Sequence, residues 1–213
     1  MDPFLQATEV IDCNHPQIKA LASETTRGVQ DMHEQARRLF YLVRDTIPYN
    51  LYVPFFLPEH YRASATLDRG SGYCVHKAVL LVALARAAGI PSRLVFADIR
   101  NYLISERVAE LMETNLFIFH GYVEWLLGDR WVRVTPSFDK EVSREYGYPL
   151  VEFDGNNDAV FPSHDADNRK FVEYVRHHGV FSDLPLDLIL KAWEGVYGKE
   201  KIEVWKESLR GII

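Results

Sequence analysis

The chain reads as an α+β protein on three observations. Helical apolar spacing dominates its first ninety residues. Two strand-like runs in the middle are joined by Gly128-Asp129, a two-residue hairpin signal. Helices come before strands, and hairpins rather than parallel crossover units join the strands, so they are expected to pair antiparallel. With 213 residues, the length fits a single domain spanning 1–213 and leaves room for a sizeable core.

Residues 16–24 form a short amphipathic helix with Ile18, Leu21 and Ala22 on one face. Residues 28–46 make a stronger one, striped by Val29, Met32, Ala36, Leu39, Phe40 and Val43 and ended by Pro48. The aromatic, proline-rich run 49–58 reads as an ordered loop. A third helix opens at Cys74 and carries Val75, Ala78, Val79, Leu81, Val82, Leu84 and Ala85; Ser71 is its expected N-cap, and Gly89 and Pro91 stop it. Arg93 to Ile99 is a strand, Ser105 opens a helix through Leu111 and Met112, and Phe117 to Leu127 and Trp131 to Thr135 are the hairpin strands. The last third is expected to be helical over Arg169 to His178, Asp187 to Tyr197 and Lys199 to Arg210.

Composition excludes several classes. Hydrophobic residues make up 47% and charged residues 25%, ordinary for a globular protein. The net charge of −6 and a pI near 5.8, with no basic stripe, argue against nucleic acid as partner. No stretch is apolar enough to span a membrane, and no export signal opens the chain, so a cytoplasmic protein is expected. No glycine-rich phosphate loop calls for a nucleotide, so no cofactor is expected. Two cysteines, Cys13 and Cys74, are too few for a cysteine-rich zinc site. His164 and the His177-His178 pair lie too far apart to read as metal ligands, so no metal is expected either.

Chemistry gathers at Cys74. In Gly70-Ser71-Gly72-Tyr73-Cys74 the sulfur sits at a helix N-terminus, where backbone N–H groups and the helix dipole favour the nucleophilic thiolate. A thiolate nucleophile needs a base and the base an orienting group. His120, in Phe119-His120-Gly121-Tyr122, is the best base; its neighbour Gly121 marks a close approach by another group. A turn at Gly128-Asp129 pairs Glu124 with Arg133, a favourable cross-strand charge pair. The same register sets Thr135 and Asp139 diagonally either side of His120, provided pairing persists past Pro136. The Cys74 backbone N–H would help bind an oxyanion. His76 follows Cys74 by two residues and points away from it, toward solvent or a supporting place. The segment 98–115 is either a lid or groove wall beside the site or a plain surface helix.

Gly72-Tyr73-Cys74, the helix end Ala83-Leu84-Ala85-Arg86-Ala87-Ala88-Gly89-Ile90-Pro91-Ser92-Arg93, and His120-Gly121-Tyr122-Val123-Glu124 followed by Gly128-Asp129-Arg130-Trp131-Val132-Arg133-Val134 together resemble the transglutaminase-like superfamily, over roughly residues 30–140. The resemblance implies a papain-like core in which a Cys-bearing helix packs on an antiparallel sheet. That core would carry a short helical N-terminal addition and a helical C-terminal extension over about 141–213. It also implies a Cys-His-Asp triad that transfers acyl groups through a thioester, acting on a peptide or protein amide. Water would complete turnover more readily than a docked amine. By analogy, Tyr49 or Tyr52 would supply a second oxyanion donor, and Tyr73 would contribute to the substrate site. The family's aspartate falls at Thr135, which carries no charge. Asp139 is then the preferred charge source, with Thr135 close behind. The rival is a catalytically impaired fold used as a peptide-binding or scaffold module.

Overall fold

The computed structural model describes residues 2–209. In chain order it contains α1 (Pro16–Thr25), α2 (Met32–Thr46), α3 (Pro58–Tyr61), α4 (Ala63–Arg69), α5 (Cys74–Ala87), β1 (Ser92–Asn101), α6 (Glu106–Met112), β2 (Leu116–Leu127), β3 (Arg130–Val134), α7 (Lys140–Tyr146), β4 (Val172–Phe181), α8 (Leu186–Tyr197) and α9 (Lys199–Leu209). The four strands form one antiparallel sheet in the order β3-β2-β1-β4.

Helix α5 is the spine. Every residue from Val75 to Arg86 is buried, as expected of a helix apolar on all sides. Helices α1, α2 and α4 pack around it, and one face of β1 and β2 closes the core with Phe96, Val123 and the fully buried Trp125. Two buried cations on α5 cap chain ends that backbone pairing cannot reach. Lys77 Nζ donates to the Arg44 carbonyl at 3.0 Å. The helical partner of that carbonyl would be residue 48, a proline without an N–H. Burial pushes Lys77 down to about 7. Arg86 donates to the carbonyls of Ser92, Gln6 and Ser182, knitting three segments together.

The hairpin register is as the turn dictates: Glu124 opposes Arg133 and Val123 opposes Val134. Four expectations need correcting. Ser71 does not cap α5; its N-cap is Tyr73, with no side-chain bond. His76 is not turned to solvent; it is fully buried, stacked on Tyr61 at 4.4 Å with Nε2 on the Pro54 carbonyl. Residues 169–178 are not helical: 172–181 form β4, which pairs with β1 and places His177 and His178 on a strand. An edge strand with one exposed face and two irregularities against β1 shows little of the alternation by which strands are read. Finally, β2–β3 pairing stops at Val134. Pro136 has no N–H to continue it, and Thr135 N instead donates to Ala159 O.

Candidate active site

Cys74 is the first residue of α5, and two glycines let its surroundings close in. A Cβ on Gly72 would lie 2.6 Å from His76 Cβ, so only glycine fits where the turn crosses its own helix. Gly72 also ties the turn to the aromatic loop: its N–H donates to Pro48 O, and its carbonyl accepts from Asn50 N. Across the core, a Cβ on Gly121 would lie 3.2 Å from Val75 Cα and 3.2 Å from the Phe96 ring. Strand β2 therefore meets the first turn of α5 backbone to backbone, the close approach that Gly121 implied. The N–H groups of Gly121, Val75 and Cys74 all favour a negative sulfur. Burial among apolar walls outweighs them and raises the Cys74 thiol to about 11. The depressed value expected from the helix N-terminus is thus overturned by desolvation. Cys74 itself is half-buried and opens onto two cavities.

His120 lines both of those cavities with Cys74. Its Nε2 lies 3.4 Å from Thr135 Oγ1, which in turn lies 2.9 Å from Ser137 Oγ. With Nε2 directed at a hydroxyl, Nδ1 is the nitrogen left to exchange a proton with the thiol. Among the described residues no hydrogen bond joins Cys74 to His120. The imidazole is packed among aromatic rings, with Phe161 at 5.2 Å and Tyr122 at 6.0 Å, and burial pushes it down to about 3. At neutral pH both partners are therefore uncharged.

Asp139 is elsewhere. Its Oδ1 accepts from Glu141 N and Val142 N as the N-cap of α7, and its Oδ2 accepts from Tyr49 N at 2.7 Å. The structure thus brings Thr135, not Asp139, to His120, because the strand that would have carried Asp139 alongside ends at Val134. Asp139 still touches the site indirectly by fixing the backbone of Tyr49.

The three tyrosines separate by what their hydroxyls do. Tyr61 donates to Phe55 O, so the short contact between the Tyr61 and Tyr73 hydroxyls uses the Tyr73 proton. Tyr73 has no donor left for an oxyanion. Tyr52 lines both cavities and is exposed. Tyr49 lines both cavities as well, and among the described residues its hydroxyl has no partner. Burial raises the Tyr49 phenol well above its ordinary value, and a charged Cys74 raises it further.

Ser137, which the expected register sets opposite His120, extends the hydroxyl chain behind it. One feature escaped the sequence. Phe119 has φ 57, left-handed for a non-glycine, one residue before the base. Buried Asp98 accepts Phe119 N at 3.0 Å and His178 Nε2 at 2.6 Å, while the His178 ring stacks on Phe119 at 3.8 Å. Strand β4, misread as helix, supplies that His178.

A family model described as the transglutaminase-like superfamily matches residues 19–136, more than half of the chain, and the protein belongs to that superfamily. Among solved structures it is similar to a proposed cysteine protease from Cytophaga hutchinsonii, at 17% identity over 84% of this chain and 54% of that one, with a TM-score of 0.49. It is also similar to the periplasmic domain of TgpA from Pseudomonas aeruginosa, at 23% identity over 62% of this chain and 45% of that one, TM-score 0.43. The chain thus spans about half the length of these structures. No curated protein matches it.

Proposed function

We propose that the protein is a thiol enzyme that cleaves peptide or amide bonds through a Cys74 thioester. The observation that carries this reading is the meeting of Cys74 and His120 on shared cavity walls, with three backbone N–H groups directed at the sulfur and Thr135 behind the imidazole. The Cys74 proton passes to His120 Nδ1 as the sulfur bonds to the carbonyl carbon. His120 then gives that proton to the departing amine, and the C–N bond breaks. Water adds to the thioester, yields the free acid and restores the thiol. The Cys74 N–H and the Tyr49 hydroxyl are the donors for the oxyanion. Hydrolysis is favoured over amine transfer because water needs no docking site.

The test is amine release from a panel of fluorogenic peptide amides, with and without a primary amine acceptor. Cys74→Ala and His120→Ala are each expected to lower release by on the order of 10⁴ or more, with free acid exceeding amine adduct. Release unaffected by Cys74→Ala overturns the reading. One observation favours a second reading, a peptide-binding module without turnover: among the described residues the hydrogen-bonding partner of His120 is the Thr135 hydroxyl and not a carboxylate, so an imidazolium there has only a hydroxyl to hold it. Binding of peptides with no release in any variant would establish that alternative.

A further inference from the structure

The cavity on one side of Cys74 differs in kind from the other. A cavity of about 140 Å³ lies between the aromatic loop, α6, the start of β2, and helices α8 and α9. Among the described residues, no acidic, lysine or arginine side chain lines it. Its polar groups are largely spent on the protein. Trp193 Nε1 donates to Ile118 O at 2.8 Å. Tyr197 takes the Ile118 N–H and donates to Leu116 O, Ser208 donates to Trp205 O, and Tyr73 is committed to Tyr61. What the cavity presents is the faces of Phe55, Trp193 and Trp205 and the chains of Leu111, Met112 and Leu209. Its available polar chemistry gathers at the end where Cys74, His120 and Tyr49 stand. The second cavity adds Asn50, Asn101, Ser105, Ser137 and Glu145 to apolar walls.

We infer that the apolar cavity receives a large apolar substituent, aromatic or branched aliphatic, on the amide substrate immediately beside the carbonyl that Cys74 attacks. The inference rests on the thiol-enzyme reading and adds a substrate class to it. A polar or charged substituent entering this space would lose its water and find no partner. An apolar one gains by leaving water. The walls formed by α8 and α9 lie beyond residues 19–136, the part shared with the family, so this selectivity belongs to the C-terminal part of the chain.

The experiment compares two probes of similar length, N-phenethyl-iodoacetamide and N-(2-carboxyethyl)iodoacetamide, on the full chain at pH 9. Labelling at Cys74 is followed by peptide mass spectrometry, and each rate is divided by that probe's rate with free cysteine. The phenethyl probe is expected to be favoured at least about tenfold, the lower end of what burying a phenyl group contributes. Met112→Trp, which fills the cavity, should erase the preference. Equal normalised rates in the wild-type chain overturn the inference and leave the thiol chemistry standing; this comparison does not depend on the variant folding. Failure of both probes to label Cys74 overturns the thiol-enzyme reading itself.

Discussion

The two ends of the candidate site are built from different materials. The Cys74 end is made of backbone: Gly72 folds the turn against His76, Gly121 brings β2 to Val75, and three N–H groups converge on the sulfur. The His120 end is made of neutral side chains, with aromatic rings around the imidazole and two hydroxyls behind it. Backbone donors cannot be titrated away, yet burial outweighs them and the resting sulfur is a thiol. The imidazole end offers no fixed negative charge, so a proton arriving on His120 is poorly compensated until substrate enters. Burial thus opposes charge at both ends, and only the sulfur end has fixed donors to offset it.

The contrast is erased most completely by supplying the missing charge. Thr135→Asp would set a carboxylate beside His120 Nε2. Amide turnover should rise by on the order of 10², part of the roughly 10⁴ that a triad aspartate contributes elsewhere, and NMR titration should show the imidazole well above its present value near 3. An unchanged imidazole would mean that the neutral hydroxyl is not what limits this end.

Breaking the backbone end has the next largest effect. Gly72→Ala drives a Cβ into fully buried His76, which has no room to yield. Overpacking of this kind costs roughly 1–3 kcal/mol. Thermal unfolding should show the loss, with Cys74 labelling altered in the surviving folded fraction. A variant of native stability would show that the turn relaxes freely.

Asp139 gives a smaller effect of another kind. Asp139→Ala removes the α7 cap, worth about 0.5–2 kcal/mol, and releases the Tyr49 amide. Stability should fall while Cys74 alkylation by iodoacetamide in the folded protein changes little. A large change in that rate would return Asp139 to the base.

The sign of the pH dependence follows from His120. Its folded value lies below its unfolded one, so the unfolded chain takes up the proton first as pH falls. His120 should therefore weaken the fold progressively from about pH 6.5 toward 3, and His120→Ala should flatten that part of the stability curve. An identical acid limb in the variant would contradict a buried neutral imidazole.

Much of this was legible in the sequence because it is local. A helix start after a glycine pair, a Gly-Asp hairpin and the charge match of Glu124 with Arg133 fixed α5, the β2–β3 register and the diagonal placement of Thr135. What was not legible depends on distant packing. Pro136 ended β3 one turn too early for Asp139 to reach His120, and the chain spent that carboxylate on a helix cap. Strand β4 hides its pairing because its outer face is exposed and its register against β1 slips twice. The Cys74 thiol is raised rather than lowered because burial outweighs its backbone donors, and part of the apolar wall of the cavity beside it comes from α8 and α9, far along the chain. A helix N-terminus is a local cue, and desolvation is not.

The central claim is that Cys74 and His120 rest as a neutral thiol and a neutral imidazole. The most direct test is the rate of Cys74 alkylation by iodoacetamide from pH 5 to 11, measured in the wild-type chain and in His120→Ala. A resting thiol near 11 predicts a rate that climbs about tenfold per pH unit from 7 to 10, with nearly the same curve in both proteins. A rate already level below pH 8 in the wild type, lost in His120→Ala, would reveal a preformed thiolate–imidazolium pair and contradict the claim.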